Sequence, residues 1–545
     1  MERRFVPFER QIGLLLTAAG ALVFILGCAP SAQPGATQEA PIAAAEPKRG
    51  GILMIPMDAT SDPPSFDLHQ ESTSATSNSA GPLHDNLIKL DPLKPADIVP
   101  DLAEKWELSP DGKSYTFTLH KGVKFHNGNP FTSADVKFSL ERMKDPPKGV
   151  NSPRQTTLAA ISSIETPNDY TVKLNLRRPS PSLLVNLAGG FMGMYDKEWV
   201  ESKGQDGPKK EMNGTGPYKL KEYIRGTSVE VERNPGYWVE GRPYLDGIKL
   251  FIIPDAGTRL AALRAGQIMI LGVTATELKS LEGAMSDKLT FQRGVNLGFN
   301  SLSMNVKRRP FDDPKVREAV NLAIDRNAAV QILAEGEGEV GGYMMPGGAW
   351  GLPQAELLKL PGYGKDKAAD LERAKKLLAE AGYPNGFDTK IQTRNLQGYQ
   401  DLSVFLIDQL KKVGIRVEAK FFETAQAYDL CFKGDFDLCP WTHSAGLDDP
   451  DAIYGEFYTC NAPRNYGRLC SGEIESLYEK QSQEVDPAKR KALVLEMERK
   501  AVPTASRVIT HWPHFRNAAW NYVKNWVRHP NTDHNFRYRD IWLDR

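Results

Sequence analysis

Between Pro100 and Met143 the hydrophobic positions change period in a readable order. Tyr115, Phe117 and Leu119 alternate with Thr116, Thr118 and His120, the period-two pattern of a half-buried strand. Ser109-Pro110-Asp111-Gly112 comes before that run and Asn127-Gly128-Asn129-Pro130 after it. Both are turn sequences, because proline presets φ and Asp-Gly or Asn-Gly tolerates a tight reversal. Val136, Leu140 and Met143 then share one helical face, with Thr132 placed as the cap and Asp135 at the third helical position.

The same reading extends along the chain. Strands are predicted at 50–55, 170–174 and 250–253, and a hairpin from 218–220 and 229–231. Short helices are predicted at 182–187 and at 258–265, the latter ended by Gly266, and 204–213 reads as a crossover. From Phe299 the pattern becomes strand, helix, strand. Asp313-Pro314 starts a helix with Val316, Val320 and Ala323 or Ile324 inward. A second helix, 370–381, turns Leu371, Ala374, Leu377 and Leu378 inward and ends at Gly382. Ile391 opens a strand, 402–413 reads as a helix and 415–417 as the next strand. Alternation of this kind is α/β or mixed α+β rather than all-α. At 545 residues the chain is too long for one core, so two or three domains are expected.

Composition changes this picture little; the N-terminus changes it more. Hydrophobic residues make up 41% and charged residues 25%, which is ordinary for a soluble globular protein. The 68 basic residues are balanced by 68 acidic ones, which argues against nucleic acid as a partner. Arg3, Arg4 and Arg10 precede an apolar run from Ile12 to Gly27, the anatomy of an export signal. That run is shorter than the ~20 residues a membrane span wants. Residues 29–47 are rich in Ala and Pro, with almost nothing to bury, and read as a flexible tether. Cys431, Cys439, Cys460 and Cys470 are an even set in an exported chain, so disulfides are expected. Cys460 and Cys470 flank a short loop and are the favoured pair; Cys431 with Cys439 is the second pairing left open. Zinc is disfavoured, because the spacings are not the usual close pairs.

Several blocks together carry a resemblance. They are the Pro100–Met143 block, Asn213-Gly214-Thr215-Gly216-Pro217-Tyr218, Arg233-Asn234-Pro235-Gly236-Tyr237-Trp238, and the run from Phe311 to Ala319. Their order resembles the family 5 extracellular solute-binding proteins, the peptide, dipeptide and nickel receptors of ABC importers, over almost the whole mature chain. Ile25-Leu26-Gly27-Cys28 similarly looks like a bacterial lipobox, with residues 1–27 removed and Cys28 lipidated; a short membrane anchor is the alternative.

The resemblance implies an α/β, two-lobed periplasmic-binding-protein-like fold of type II, in the large form with an inserted subdomain. Lobe I would comprise 48–82, 204–298 and 506–545, the insert 83–203, and lobe II 299–505. It implies a peptide or similar small solute held between the lobes, an ABC permease as partner, a lipid anchor in the membrane, a monomer, and no cofactor. A nickel or metal-chelate solute and an oligosaccharide are the alternatives within the fold. Arg394 resembles the arginine with which dipeptide receptors hold a ligand carboxylate, for which a guanidinium fork is suited. Trp441 can cover a ligand face. Ser444 stands three residues after Trp441, where peptide receptors of the family hold an aspartate; Asp448 and Asp449 come later in the same stretch. Asp449-Pro450 is equally a plain turn. Glu71 and Ser72 fall on the cleft wall by analogy.

Catalytic signatures are missing from the sequence: it has no G-x-S-x-G and no H-E-x-x-H. Gly336 to Gly341 matches G-x-G-x-x-G, but it follows a predicted helix and carries two glutamates that would repel phosphate. His511 and His514 form an H-x-x-H that could bind metal, with His443 elsewhere, and Pro513 breaks helical spacing between the first two. The expectation is therefore a binding protein and not an enzyme. An exported hydrolase using Asp448 and Asp449 as acid and base is the reading from another class.

Overall fold

The computed structural model describes residues 46–57, 62–155, 157–444, 446–462, 464–531, 534 and 538–545, with only the backbone of Ala425 and Ser444. The export signal, Cys28 and nearly all of the tether lie outside the described residues. Pro47–Arg545 forms one compact unit.

Three sheets carry that unit. The first orders Ile52–Pro56, Gly247–Phe251, Ser228–Arg233 and Tyr218–Ile224, with only the first pair parallel. The second is antiparallel and orders Ala103–Leu108, Ser114–Leu119, Thr171–Leu176 and Ile161–Asn168. The third runs Ile270–Gly272, Arg507–Trp520, Gly298–Met304, Leu438–Ser444, Asp388–Arg394, Arg416–Phe422. Asp388–Arg394 is parallel to both of its neighbours. The long strand Arg507–Trp520 pairs with Gly298–Met304 through its first half and with Ile270–Gly272 and Leu289–Val295 through its second.

The alternating stretch around Phe117 forms the core strand of the second sheet. Tyr115, Phe117 and Leu119 are buried together with Val136, Leu140 and Met143 of the helix Ser133–Lys144. That helix starts where its cap is. Ala134 N donates to the Thr132 hydroxyl (3.3 Å), and Thr132 N donates to Asp135 Oδ2 (2.8 Å). In the third sheet's layer, Pro314–Ala323 buries Val316, Ala319, Val320 and Ala323 against Ala374 and Leu378 of Lys367–Glu380. Leu371 and Leu377 are only partly buried there.

The glycine-rich and aromatic motif blocks converge on one buried carboxylate. Asp85 accepts from Trp238 Nε1 (2.9 Å), Tyr237 OH (3.1 Å) and Thr215 Oγ1 (3.2 Å). A Cβ on Gly214 would stand 2.0 Å from the Leu83 carbonyl oxygen, and one on Gly216 2.4 Å from the Leu83 carbonyl carbon. Only glycine permits that backbone approach. These blocks build the fold.

Cys460 and Cys470 form a disulfide. Gly338–Glu339 of the glycine-rich match is a strand alongside Trp512 and Pro513. Among the described residues no helix is long and apolar enough to cross a membrane.

Candidate functional site

In sheets with parallel strands, ligands tend to bind beyond the carboxyl ends of those strands. Here the carboxyl ends are Arg394 and Phe422, paired side by side, and Ser444 on the other neighbour of the Arg394 strand, which runs further along the same direction. The helices Gln397–Lys411 and Thr424–Lys433 follow the first two of these strands, so their opening turns lie at the same edge.

Arg394 is the centre of this edge. Its guanidinium lies 5.0 Å from the Tyr399 ring centroid, 5.7 Å from Tyr428 and 5.9 Å from Trp441. Nη1 donates to Tyr399 OH (3.1 Å), and Nε and Nη2 both donate to Thr424 Oγ1 (3.3 and 3.2 Å). All of these partners are neutral. Among the described residues no carboxylate pairs with Arg394, so its charge is oriented by hydroxyls and ring faces without being neutralised. Such a fork can take a carboxylate.

Trp441 reaches this group from behind. It is 2% exposed and packs edge-on against Tyr428 (4.9 Å), Tyr399 (5.5 Å) and Tyr466 (5.7 Å). Ser444 ends the same strand, opposite Gly298, and its side chain lies outside the described residues. Tyr399, Thr424 and Tyr428 are the members that sequence reasoning missed.

The remaining candidates stand elsewhere. Asp449 caps the helix Pro450–Phe457 by accepting from Asp451 N (2.9 Å), and both its oxygens accept from Arg490 (2.9 and 3.0 Å). It is fully engaged in structure. Asp448 Oδ2 accepts from Ala349 N (3.3 Å), while its Oδ1 is buried and unpartnered. Burial, aided by the Asp449 charge and opposed by the Ala349 amide, pushes its carboxyl up to about 6. Glu71 accepts from Ser65 Oγ (2.8 Å), and Ser72 Oγ accepts from Arg154 Nη1 (3.1 Å). None of these bonds reaches the Arg394 group.

The histidines are held apart. His511 meets the Asn300 amide at 3.0 Å, and burial lowers its pKa to about 4. His514 lies 3.4 Å from both Glu337 and Glu339. His443 is buried among Phe299, Phe457 and Tyr466, and burial lowers its pKa well below the usual imidazole value. Among the described residues there is no group of three or more His, Cys, Asp or Glu able to hold a metal ion.

A mixed α/β fold with a cationic, aromatic-walled strand edge has the features of a binding protein. The model of the bacterial extracellular solute-binding proteins, family 5, matches residues 97–465, and the chain belongs to that family. A heme-binding protein A of Haemophilus influenzae is 31% identical over 381 residues, 65% of this chain and 68% of its own. A dipeptide-binding protein of Escherichia coli is 28% identical over 442 residues, covering 74% and 79% of the two chains. The ABC transporter-associated periplasmic binding protein DppA of Helicobacter pylori, solved with the peptide STSA, superposes with a TM-score of 0.76 at 26% identity, over 91% of this chain and 99% of that one. Two-lobed architecture and solute binding follow from this membership.

Proposed function

We propose that this protein is the receptor of an ABC importer, capturing a peptide or similar small carboxylated solute and handing it to a membrane permease. The dipeptide-binding and peptide-bound relatives support the solute class. The observation that carries the reading is Arg394, fixed by Tyr399 and Thr424 with no acidic partner among the described residues. Lobe I is assigned to 48–82, 204–298 and 506–545, the insert to 83–203 and lobe II to 299–505. Solute contacts with both lobes then shift an open population toward a closed one. Anchoring through Cys28, with 29–47 as a tether, would keep the receptor on the outer face of the membrane, as a monomer beside its permease.

Native mass spectrometry of the gently purified protein, with identification of any co-purifying solute, tests the class. The site is tested by Arg394→Ala, which should weaken binding of a carboxylated solute by about 2–5 kcal/mol. Arg394→Lys should recover only part of that, because a single ammonium lacks the fork. Unchanged affinity in Arg394→Ala would remove the arginine from the site.

A further inference from the structure

Behind the Arg394 group lies a pair of sulfurs that solute binding does not use. Cys431 is on the helix Thr424–Lys433, three residues after Tyr428. Cys439 is on the strand Leu438–Ser444, two residues before Trp441 and therefore on the same face. Both are buried, in one cluster with Tyr399, Trp441 and Tyr466. Their Sγ atoms stand 2.7 Å apart, nearer than two sulfurs in van der Waals contact and beyond the roughly 2.05 Å of a bonded pair. No other cysteine shares that cluster.

A second observation bears on the same pair. Cys431 lines an open cavity of about 420 Å³ together with Lys307, Phe432, Arg468 and both halves of the Cys460–Cys470 disulfide. The neighbouring cysteines are thus already oxidised, and Cys431, though buried, belongs to the wall of that cavity. The family is extracellular, where disulfides persist.

We propose that Cys431 and Cys439 form a second disulfide, which ties the Tyr428 helix to the Trp441 strand behind the aromatic wall of the Arg394 group. The oxidant is a disulfide-bearing partner, either a protein dithiol oxidase or a low-molecular-weight disulfide. Cys431 attacks it, forming a mixed disulfide and releasing one thiol. Cys439 then displaces the second thiol and closes the bond. Two protein thiols and one external disulfide become one protein disulfide and two external thiols, so two electrons and two protons pass to the oxidant. The consequence for solute rests on the binding reading above; the bond itself does not.

The full chain, purified without reductant, is denatured in excess iodoacetamide and mapped by mass spectrometry. Cys431 and Cys439 should remain unalkylated and appear as one cross-linked peptide, becoming alkylated only after reduction. Alkylation of both without reductant, or a map that joins either to Cys460 or Cys470, overturns the bond. Cys439→Ser should expose Cys431 as one new alkylatable thiol, and its absence also counts against the pair. If that variant does not fold, the wild-type map still decides. In Cys431→Ala/Cys439→Ala, amide exchange along Thr424–Lys433 should rise several-fold, and unchanged exchange overturns the tie. Loss of solute binding in Arg394→Ala with the bond intact, or the reverse, separates this proposal from the site assignment.

Discussion

Asp448 shows what burial does to a carboxylate with one oxygen left unpartnered. Its unpartnered Oδ1 is closed off from solvent, and its carboxyl is pushed up to about 6 from a usual value near 3.8. The folded state therefore holds this proton more tightly than the unfolded chain does. The stabilising protonated form is fully present below about pH 4 and is lost as the pH rises through about 6, costing about 3 kcal/mol at most. Asp448→Asn keeps an acceptor for the Ala349 amide and carries no charge. Thermal unfolding should find the variant close to wild type near pH 4 and more stable by up to that amount at pH 8. An offset equal at both pH values would show that charge burial is not the cause. Trp441 is the converse case. Its place in the chain suggests a cover over the solute, yet the three surrounding tyrosines take its ring into the wall behind Arg394.

At the scale of elements, local signals were legible where one residue supplied them. Thr132 with Asp135 announces the helix Ser133–Lys144, and the structure holds both halves of that capping box. Thr132→Ala should cost about 1 kcal/mol in chemical denaturation, and no loss would show the box to be dispensable. Asp135 also accepts from Lys197 N (3.0 Å), so Asp135→Ala should cost more than Thr132→Ala. The helix Gln397–Lys411 opens five residues earlier than its apolar period suggests. Leu396 offers no side-chain cap and Gly398 weakens the first turn, so nothing local marks Tyr399 as helical. Thr424–Lys433 is likewise uncapped by a side chain at Glu423, and Tyr428 went unnoticed with it. Arg394 was legible because it closes a clean strand. Its partners come from two other elements, and no spacing in one dimension reports that.

At the scale of the molecule, what joins the antiparallel sheet layer to the helices after residue 449 is made of side chains. Leu447 completes the core of Phe117, Leu140 and Leu183. Ser182 Oγ, from the short helix Ser182–Leu187, accepts from Arg490 Nη2 (2.9 Å) and donates to Asp451 Oδ2 (2.5 Å). Arg490 grips Asp449 with both Nη groups, and Gln481 donates to Asp451 Oδ1 (2.5 Å). The side chains of Arg490 and Asp449 are each 5% exposed, so this ion pair has little water to fall back on. Removing one partner of a buried pair leaves the other charge stranded, whereas the intact pair need add little net stability. Arg490→Ala strands Asp449 beside Asp451 and should cost about 3–5 kcal/mol. Arg490→Lys should recover only part of it, because one ammonium cannot grip both Asp449 oxygens and reach Ser182 as well. The denaturation midpoints of both variants check this. If Arg490→Ala loses less than about 1 kcal/mol, no better than an exposed pair, the aspartates rehydrate freely and this contact between the sheet layer and the helices is loose rather than sealed.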